Sequence, residues 1–188
     1  MNHPRLFKNG ITVFVLGALI GPIGDWCHMT SGTLSYNATA PQLRIFFGLP
    51  FWVPPLFGLA ALSIATCHLL FNNKAIRPSH LKVSQGTLAF LLLYAASGFL
   101  PLETGGARDV VLALGALGIW AWLERTWQGM AVGVAVGVIG SLFEIFLVHH
   151  GVFSYGSGMD NMFGVPSWLP WVYFGASIAI ENLQLRIK

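Results

Sequence analysis

Two acidic side chains lie in stretches that are otherwise apolar, and they are the first candidates for chemistry in this chain. Asp25 closes an apolar run that begins at Ile11, and Glu144 interrupts a second run at 128–149. Placing a carboxyl group inside a membrane costs on the order of 2.5–3.5 kcal/mol, so such a group usually faces a cavity or a partner. There it could bind the polar group of a lipid, or act as a general acid or base.

The two acids occupy equivalent places in a repeated unit. Each is followed seven residues later by a glycine and eleven residues later by a tyrosine, and then by the pattern Phe-Gly-x-Pro-x-Trp-x-Pro at 47–54 and 163–170. The offset between the copies is 119 residues in the first part and 116 in the second. A repeat at fixed spacing predicts two related structural elements, each carrying one acid.

The composition indicates an all-α membrane protein. Hydrophobic residues make up 55% of the 188 residues and charged residues only 9%, whereas a soluble domain carries about 25% charged residues. A membrane-spanning helix needs about 20 mostly apolar residues. On that basis a single transmembrane domain of six spans is predicted, at residues 11–27, 51–71, 83–100, 109–123, 128–149 and 168–184.

The charge distribution predicts the orientation of this six-helix bundle. Eight basic residues lie on the side of the membrane that holds both termini: Arg5, Lys8, Lys74, Arg77, Lys82, Arg125, Arg186 and Lys188. The other side has only Arg44 and Arg108, so both termini are predicted to be cytoplasmic. Helices 1–2 then point the same way as helices 5–6, and the internal repeat is partial and parallel. The net charge of +3, without a dense basic cluster, does not favour nucleic-acid binding.

Polar and aromatic residues near the acids complete a predicted ligand site. If the acids face a cavity, a lipid headgroup or hydroxyl would meet Asp25, His28, Tyr36, Glu144, His149 and Tyr155. Trp120 would line the channel for the tail, and Trp52 and Trp168 would lie at the level of the membrane interface, where indole rings are common. The alternative is that each acid simply bonds the loop beside its helix. A metal site is not predicted, because no His-x3-His or Glu-x2-His pairing is present. No cofactor is predicted either.

Three glycines, Gly129, Gly133 and Gly137, form a ladder of small residues on the fifth span. Small residues let helices approach closely in a membrane. We expect this ladder to serve packing inside the bundle rather than self-association, although a homo-oligomer is possible.

Four segments resemble the Insig family in order and spacing: Trp-Val-Pro-Pro at 52–55, and the stretches at 118–129, 147–155 and 167–170. The resemblance extends over about residues 10 to 186. It implies a six-helix membrane protein that binds a lipid between its helices and has a regulatory or scaffold role without catalysis. The compact chain resembles a bacterial relative, in the inner (plasma) membrane, with a diacylglycerol-like, sterol-like or isoprenoid ligand. Other membrane proteins are possible partners, and by position Glu124 and Arg125 would face such a partner.

The last third of the chain is also similar to membrane carotenoid hydratases, through Glu144, Gly151, Tyr155 and the Gly-Val-Pro at 164–166. Those enzymes add water across a terminal isoprenoid double bond. The reaction needs an acid to protonate the alkene and a base to guide water, roles that Asp25 and Glu144 could fill. An isoprenoid-modifying enzyme is therefore the alternative function.

Overall fold

The computed structural model describes residues 3–36, 44–45, 48–71 and 77–187, with the side chains of the first helix described from residue 9 onward. The helices are α1 His3–Thr30, α2 Val53–Phe71, α3 His80–Phe99, α4 Ala107–Leu123, α5 Trp127–His149 and α6 Leu169–Ile187. Two short strands, β1 Leu34–Tyr36 and β2 Phe153–Tyr155, follow α1 and α5. The helix ends lie within three residues of the predicted span limits, except that α1 begins eight residues earlier.

Three of the described helices are long and apolar enough to cross a membrane by length and composition, namely the Asn9–Thr30 part of α1, Val53–Phe71 and Trp127–His149. α6 is less apolar because it lies at the centre of the bundle, in contact with each of the other five helices. Its polar residues Ser177, Glu181, Asn182 and Gln184 are all buried. They are covered by protein rather than by lipid, which removes the need for a continuous apolar surface. The limits of the membrane-crossing parts stay a prediction.

Four of the eight basic side chains that predict the orientation lie outside the described part of the structure. Lys74 and Lys188 lie outside the described residues, and so do the side chains of Arg5 and Lys8. Phe47 of the first repeated loop is outside them as well. The orientation therefore stays a prediction from the sequence.

Both copies of the repeat end their helix in the same way. In the first, the Gly32 N–H donates to the Met29 carbonyl at 3.3 Å and the Thr33 N–H to the His28 carbonyl at 2.8 Å. The equivalent bonds in the second copy, from Gly151 and from the residue after it, are 2.9 and 3.1 Å long. This is the Schellman cap, which needs a residue in the left-handed region. Both glycines supply it, with φ of +73° and +68°.

The two repeated loops pair with each other. β1 and β2 are antiparallel, with Ser35 opposite Ser154 at the centre of the register. The two serine hydroxyls are 3.0 Å apart. An antiparallel pair centred on equivalent residues relates the two halves by a local twofold axis, so the strands hold the ends of α1 and α5 in symmetric places. Both acids sit near these ends.

Cysteines substituted for Ser35 and Ser154, the opposed residues at the centre of the two strands, are expected to form a disulfide. Opposed residues of an antiparallel pair have Cα atoms about 4.5–5.5 Å apart, within the range that a disulfide spans. In a background with Cys27 and Cys67 changed to alanine, the double variant Ser35→Cys, Ser154→Cys should lose both free thiols on oxidation. Mass spectrometry after thiol alkylation measures this.

The matched control is Ser35→Cys with Ser79→Cys. Ser79 caps the start of α3, whereas Thr33, two residues before Ser35, contacts the Gly98 carbonyl at the end of that helix. This pair therefore lies on the order of 30 Å apart, the length of a 20-residue helix. It should keep both thiols. If the control pair cross-links as fast as the strand pair, the strand register is wrong.

The glycine ladder of α5 faces into the bundle, as expected from its sequence. An added methyl group at Gly133 would lie 2.7 Å from the Phe174 ring, and one at Gly137 would lie 2.7 Å from the Pro170 carbonyl oxygen. At Gly129 the nearest group is the Glu124 carboxyl. The ladder therefore lets α6 and the α4–α5 turn approach α5 closely.

Candidate functional site

The Asp25 carboxyl lies at the end of α1 and accepts two tyrosine hydroxyls. Tyr36, in β1 of the same repeat, donates to Oδ2, and Tyr94 of α3 donates to Oδ1 at 2.7 Å. Gly24 makes the second bond possible, because a methyl group there would lie 2.1 Å from the Tyr94 ring. Asp25 is only 6% exposed, so these bonds replace the water that the carboxyl would otherwise bind.

The Glu144 carboxyl of α5 is held in the same way. Tyr155, in β2 of the same repeat, donates to Oε2, and Tyr173 of α6 donates to Oε1 at 2.6 Å. Gly140 lies one turn before the acid, where a methyl group would lie 2.6 Å from the Tyr173 ring. Glu144 is half-buried rather than buried, and so it is the more accessible of the two acids.

All four tyrosines of the chain thus bind the two carboxyls, one pair to each. Burial and the neighbouring Asp25 raise the pKa of Tyr36 above its usual value, and burial with Glu144 raises the pKa of Tyr155 likewise. Both phenols therefore keep their protons and act as donors. The sequence predicted the two strand tyrosines and missed Tyr94 and Tyr173, which only the tertiary structure brings to the acids.

Both carboxyls line one cavity of about 390 Å³ between α2 and α5. The strands close one end of this central cavity through Leu34, Tyr36 and Phe153, while its walls are apolar side chains of the two helices. It extends along α2 from Val53 to Cys67, which is about 21 Å at 1.5 Å per residue. It is a long apolar slot with two acids near one end.

The slot is open on one side of the bundle. Leu59 of α2 and Ile139 of α5 both line it, and they are 55% and 66% exposed. A smaller cavity of about 90 Å³ between α1, α2 and α6 shares Phe57, Glu144 and Tyr173 with it. Glu144 therefore borders both spaces and can contact a molecule in either.

Four of the nine predicted ligand-site residues line the central cavity: Asp25, Tyr36, Trp52 and Glu144. Tyr155 lies directly behind Glu144, to which it donates.

His28 is buried behind Asp25, where Nε2 is 2.8 Å from the Ser97 hydroxyl and the ring stands edge-on to Tyr94. His28 therefore supports the acid site from the protein side.

Three of the predicted residues lie away from the central cavity. Trp168 is fully buried in the core, where its ring lies between those of His28 and Tyr155. Its indole N–H has no hydrogen-bond partner in the described part of the chain. The Trp120 indole donates to the Thr126 carbonyl at 3.1 Å. His149 is exposed and bonds the Ile145 carbonyl of its own helix.

Glu124, which the resemblance predicts to face a partner, is a buried residue in this structure. Glu124 is 7% exposed, and its carboxylate accepts the backbone N–H of Thr126 at 2.7 Å as well as the Thr126 hydroxyl. The carboxylate thus satisfies donors at the start of α5, where a helix leaves N–H groups unpaired. Arg125 is exposed and has a positive φ of 64°, so it alone of the pair points outward.

No group of three or more histidine, cysteine or acidic side chains able to hold a metal ion occurs in the described ranges. The central cavity is lined by two carboxyls, and the structure places no Lys, Arg or His among its described lining residues. The arrangement can therefore accept hydrogen bonds from a molecule in the slot, or exchange a proton with it.

No family model matches this chain. It is 30% identical over 176 residues to an INSIG protein homolog from Mycolicibacterium vanbaalenii, covering 94% of this chain and 85% of the relative. The chain belongs to the Insig family. The insulin-induced gene 1 protein of Homo sapiens is 23% identical over 190 residues, which cover 98% of this chain and 67% of the human protein. This confirms the family predicted from the segments around 52–55 and 147–155.

Solved structures agree with this assignment. The crystal structure of MvINS, a mycobacterial Insig homolog from Mycobacterium vanbaalenii, superposes on this Insig-family chain with a TM-score of 0.88 and 28% identity, covering 96% and 94% of the two chains. A cross-linked trimer of MvINS gives the same TM-score with 29% identity. The protein is therefore an integral membrane protein with the predicted six-helix bundle.

Proposed function

We propose that this Insig-family protein binds a lipid in the central cavity and has a regulatory or scaffold role. One observation supports the proposal: two carboxyls from equivalent places of the repeat line the same apolar slot, which is open on one side of the bundle. Pockets that bind small molecules are mostly apolar, with a few convergent polar groups. The slot has that composition, and its length along α2 suits an extended acyl or isoprenoid chain.

In this proposal the lipid headgroup lies beside Asp25 and Glu144, and the tail follows the groove between α2 and α5 toward Cys67. Trp52 adjoins the headgroup, because its ring stands edge-on to Tyr36 at 5.6 Å. With both termini cytoplasmic, as the charge distribution predicts, the headgroup lies in the non-cytoplasmic half of a bacterial plasma membrane. A diacylglycerol-like, sterol-like or isoprenoid lipid fits this description.

Changing both acids to amides is expected to release the lipid. In the variant Asp25→Asn, Glu144→Gln one acceptor oxygen of each carboxyl is replaced by an NH2 donor while side-chain size is kept. We expect the purified protein to retain about tenfold less lipid, equivalent to the loss of about one good hydrogen bond. Mass spectrometry of the organic extract, normalised to protein, measures this ratio.

Asp160→Asn is the matched control, because Asp160 is exposed and lies outside the residues that line the cavity. It should retain lipid like the unsubstituted protein. If the unsubstituted protein carries no lipid above the detergent background, and binds neither diacylglycerol nor a sterol when they are added, lipid binding is wrong.

Isoprenoid hydration is the second candidate function, favoured by the same pair of acids on one apolar cavity. One carboxylic acid would give its proton to the less substituted carbon of the terminal double bond, water would add to the resulting tertiary cation, and the other carboxylate would take a proton from that water. Incubating the protein with an acyclic polyene and searching for a product heavier by one water tests this. An amide at either acid should abolish the product.

We also propose that this protein works together with other membrane proteins or with further copies of itself. MvINS has been crystallised as a cross-linked trimer, and the lipid-facing side of α5 here exposes large apolar side chains such as Ile139 and Phe146. Cross-linking in membranes, followed by a mass measurement, identifies the partner.

A further inference from the structure

The central cavity offers a lipid headgroup mostly hydrogen-bond acceptors. Tyr36 and Tyr173, the two tyrosines that line it, already donate their protons to Asp25 and Glu144. Both carboxyls keep free lone pairs, because each carboxyl oxygen can accept more hydrogen bonds than the one it receives from a tyrosine. Of the described lining residues at this end, Trp52 alone has a further N–H group.

No described Lys, Arg or His lines the central cavity beside these acceptors. Arg108 is buried, but its guanidinium donates to the carbonyls of Leu102 and Ser97 at 2.9 and 3.1 Å, at the end of α3. It is therefore occupied outside the slot. An anionic headgroup would therefore lie beside two acidic side chains with no described cation to balance its charge, in an apolar surrounding where an unpaired charge is costly.

We infer that the central cavity selects amphiphiles whose headgroup donates a hydrogen bond, such as an alcohol, and rejects anionic or acceptor-only headgroups. The inference rests on the proposed lipid binding and names its chemical class. A site whose buried polar groups await a donor discriminates strongly against a ligand that lacks one, because those groups are then left unpaired. The donor contacts Glu144 in particular, since Glu144 is the more accessible acid and Asp25 is buried.

Three probes with the same 16-carbon tail test the selection: hexadecanol, its methyl ether and hexadecanoate at pH 8. The ether differs from the alcohol by having no donor, and hexadecanoate presents an anion. We expect hexadecanol to bind the protein in detergent at least tenfold more tightly than either of the others. Competition against a fluorescent lipid analogue measures the three affinities.

The Glu144→Gln variant tests where the selection arises. The amide can turn its NH2 group toward the ether oxygen, so the ratio between alcohol and ether should fall to about threefold or less. Asp160→Asn, which changes an exposed acid away from the cavity, should keep the ratio of the unsubstituted protein. Trp52→Phe removes the remaining indole donor, and it should leave the preference for the alcohol in place.

The outcomes separate this inference from the proposed function. Equal binding of alcohol and ether, or tight binding of hexadecanoate, overturns donor selection while lipid binding stands. An unchanged ratio in Glu144→Gln overturns the assignment to that acid. If none of the three probes binds and no lipid co-purifies, the proposed lipid site itself is wrong, and the selection is wrong with it.

Discussion

Gly137→Ala is expected to destabilise the protein by about 3 kcal/mol. The new methyl group would lie 2.7 Å from the Pro170 carbonyl oxygen and 3.4 Å from its carbon. These are backbone atoms at the start of α6, so no side chain can rotate away, and the helices must separate. Overfilling a well-packed contact costs about 1–3 kcal/mol, occasionally more. A clash with backbone lies above this range, at about 4 kcal/mol, from which the gain of about 1 kcal/mol in helix propensity for alanine is subtracted.

The expected result is a decrease in Tm of about 6–12 °C in detergent, since 1 kcal/mol corresponds to about 2–4 °C for a chain of this size. Gly118→Ala is the matched control, because nothing lies within 4 Å of a methyl group at that exposed position of α4. Alanine has the higher helix propensity, by about 1 kcal/mol. The control should therefore raise Tm slightly, and a decrease equal to that of Gly137→Ala would contradict the packing argument.

The repeat made much of the architecture predictable from the sequence. Equivalent glycines follow the ends of α1 and α5. Because a left-handed helix cap needs a residue such as glycine, the pattern around Gly32 and Gly151 predicts where both helices end. The pairing of β1 with β2 was not predicted, since three-residue strands show no clear periodicity. The central place of α6 was missed too, because a helix buried by protein and one buried by lipid look alike in composition.

The acids were predictable and half of their partners were not. A carboxyl in an apolar run stands out, and Tyr36 and Tyr155 follow at the same spacing in both copies. Tyr94 and Tyr173 come from α3 and α6, which are not equivalent in the repeat, so sequence spacing does not relate them. The small number of tyrosines is the sequence feature that could have indicated them. The chain has 14 phenylalanines and only four tyrosines, which implies that each tyrosine hydroxyl forms a specific hydrogen bond.

Each acid is therefore held by one local and one distant tyrosine, and this links the site to the fold. The local bond closes the repeated loop onto its own helix, while the distant bond ties that helix to α3 or α6. A buried acid that lost these donors would remain unsatisfied in an apolar surrounding, which costs more than an absent acid. Mutation can therefore separate the free-energy cost of burying the acid from the contribution that its tyrosine partners make to the packing of the helices.

The double variant Tyr155→Phe, Tyr173→Phe is expected to be about 3–6 kcal/mol less stable than the unsubstituted protein. It removes both donors to Glu144 with little change in shape, and a hydrogen bond to a charged group contributes about 1.5–3 kcal/mol. The decrease in Tm should be on the order of 10 °C or more. Thermal unfolding in detergent, followed by tryptophan fluorescence, measures it.

Adding Glu144→Leu to this double variant should restore stability, although it adds a third substitution. The leucine removes the carboxyl that the phenylalanines leave unpaired, and replacing both partners of a buried polar contact by apolar groups is often nearly neutral. We expect the triple variant to recover more than half of the lost Tm. A triple variant less stable than the double would mean that Glu144 is satisfied by other groups, and that the tyrosines stabilise the bundle through packing alone. Recovery would show instead that the unpaired acid carries the cost in free energy, a cost that the proposed lipid binding would explain.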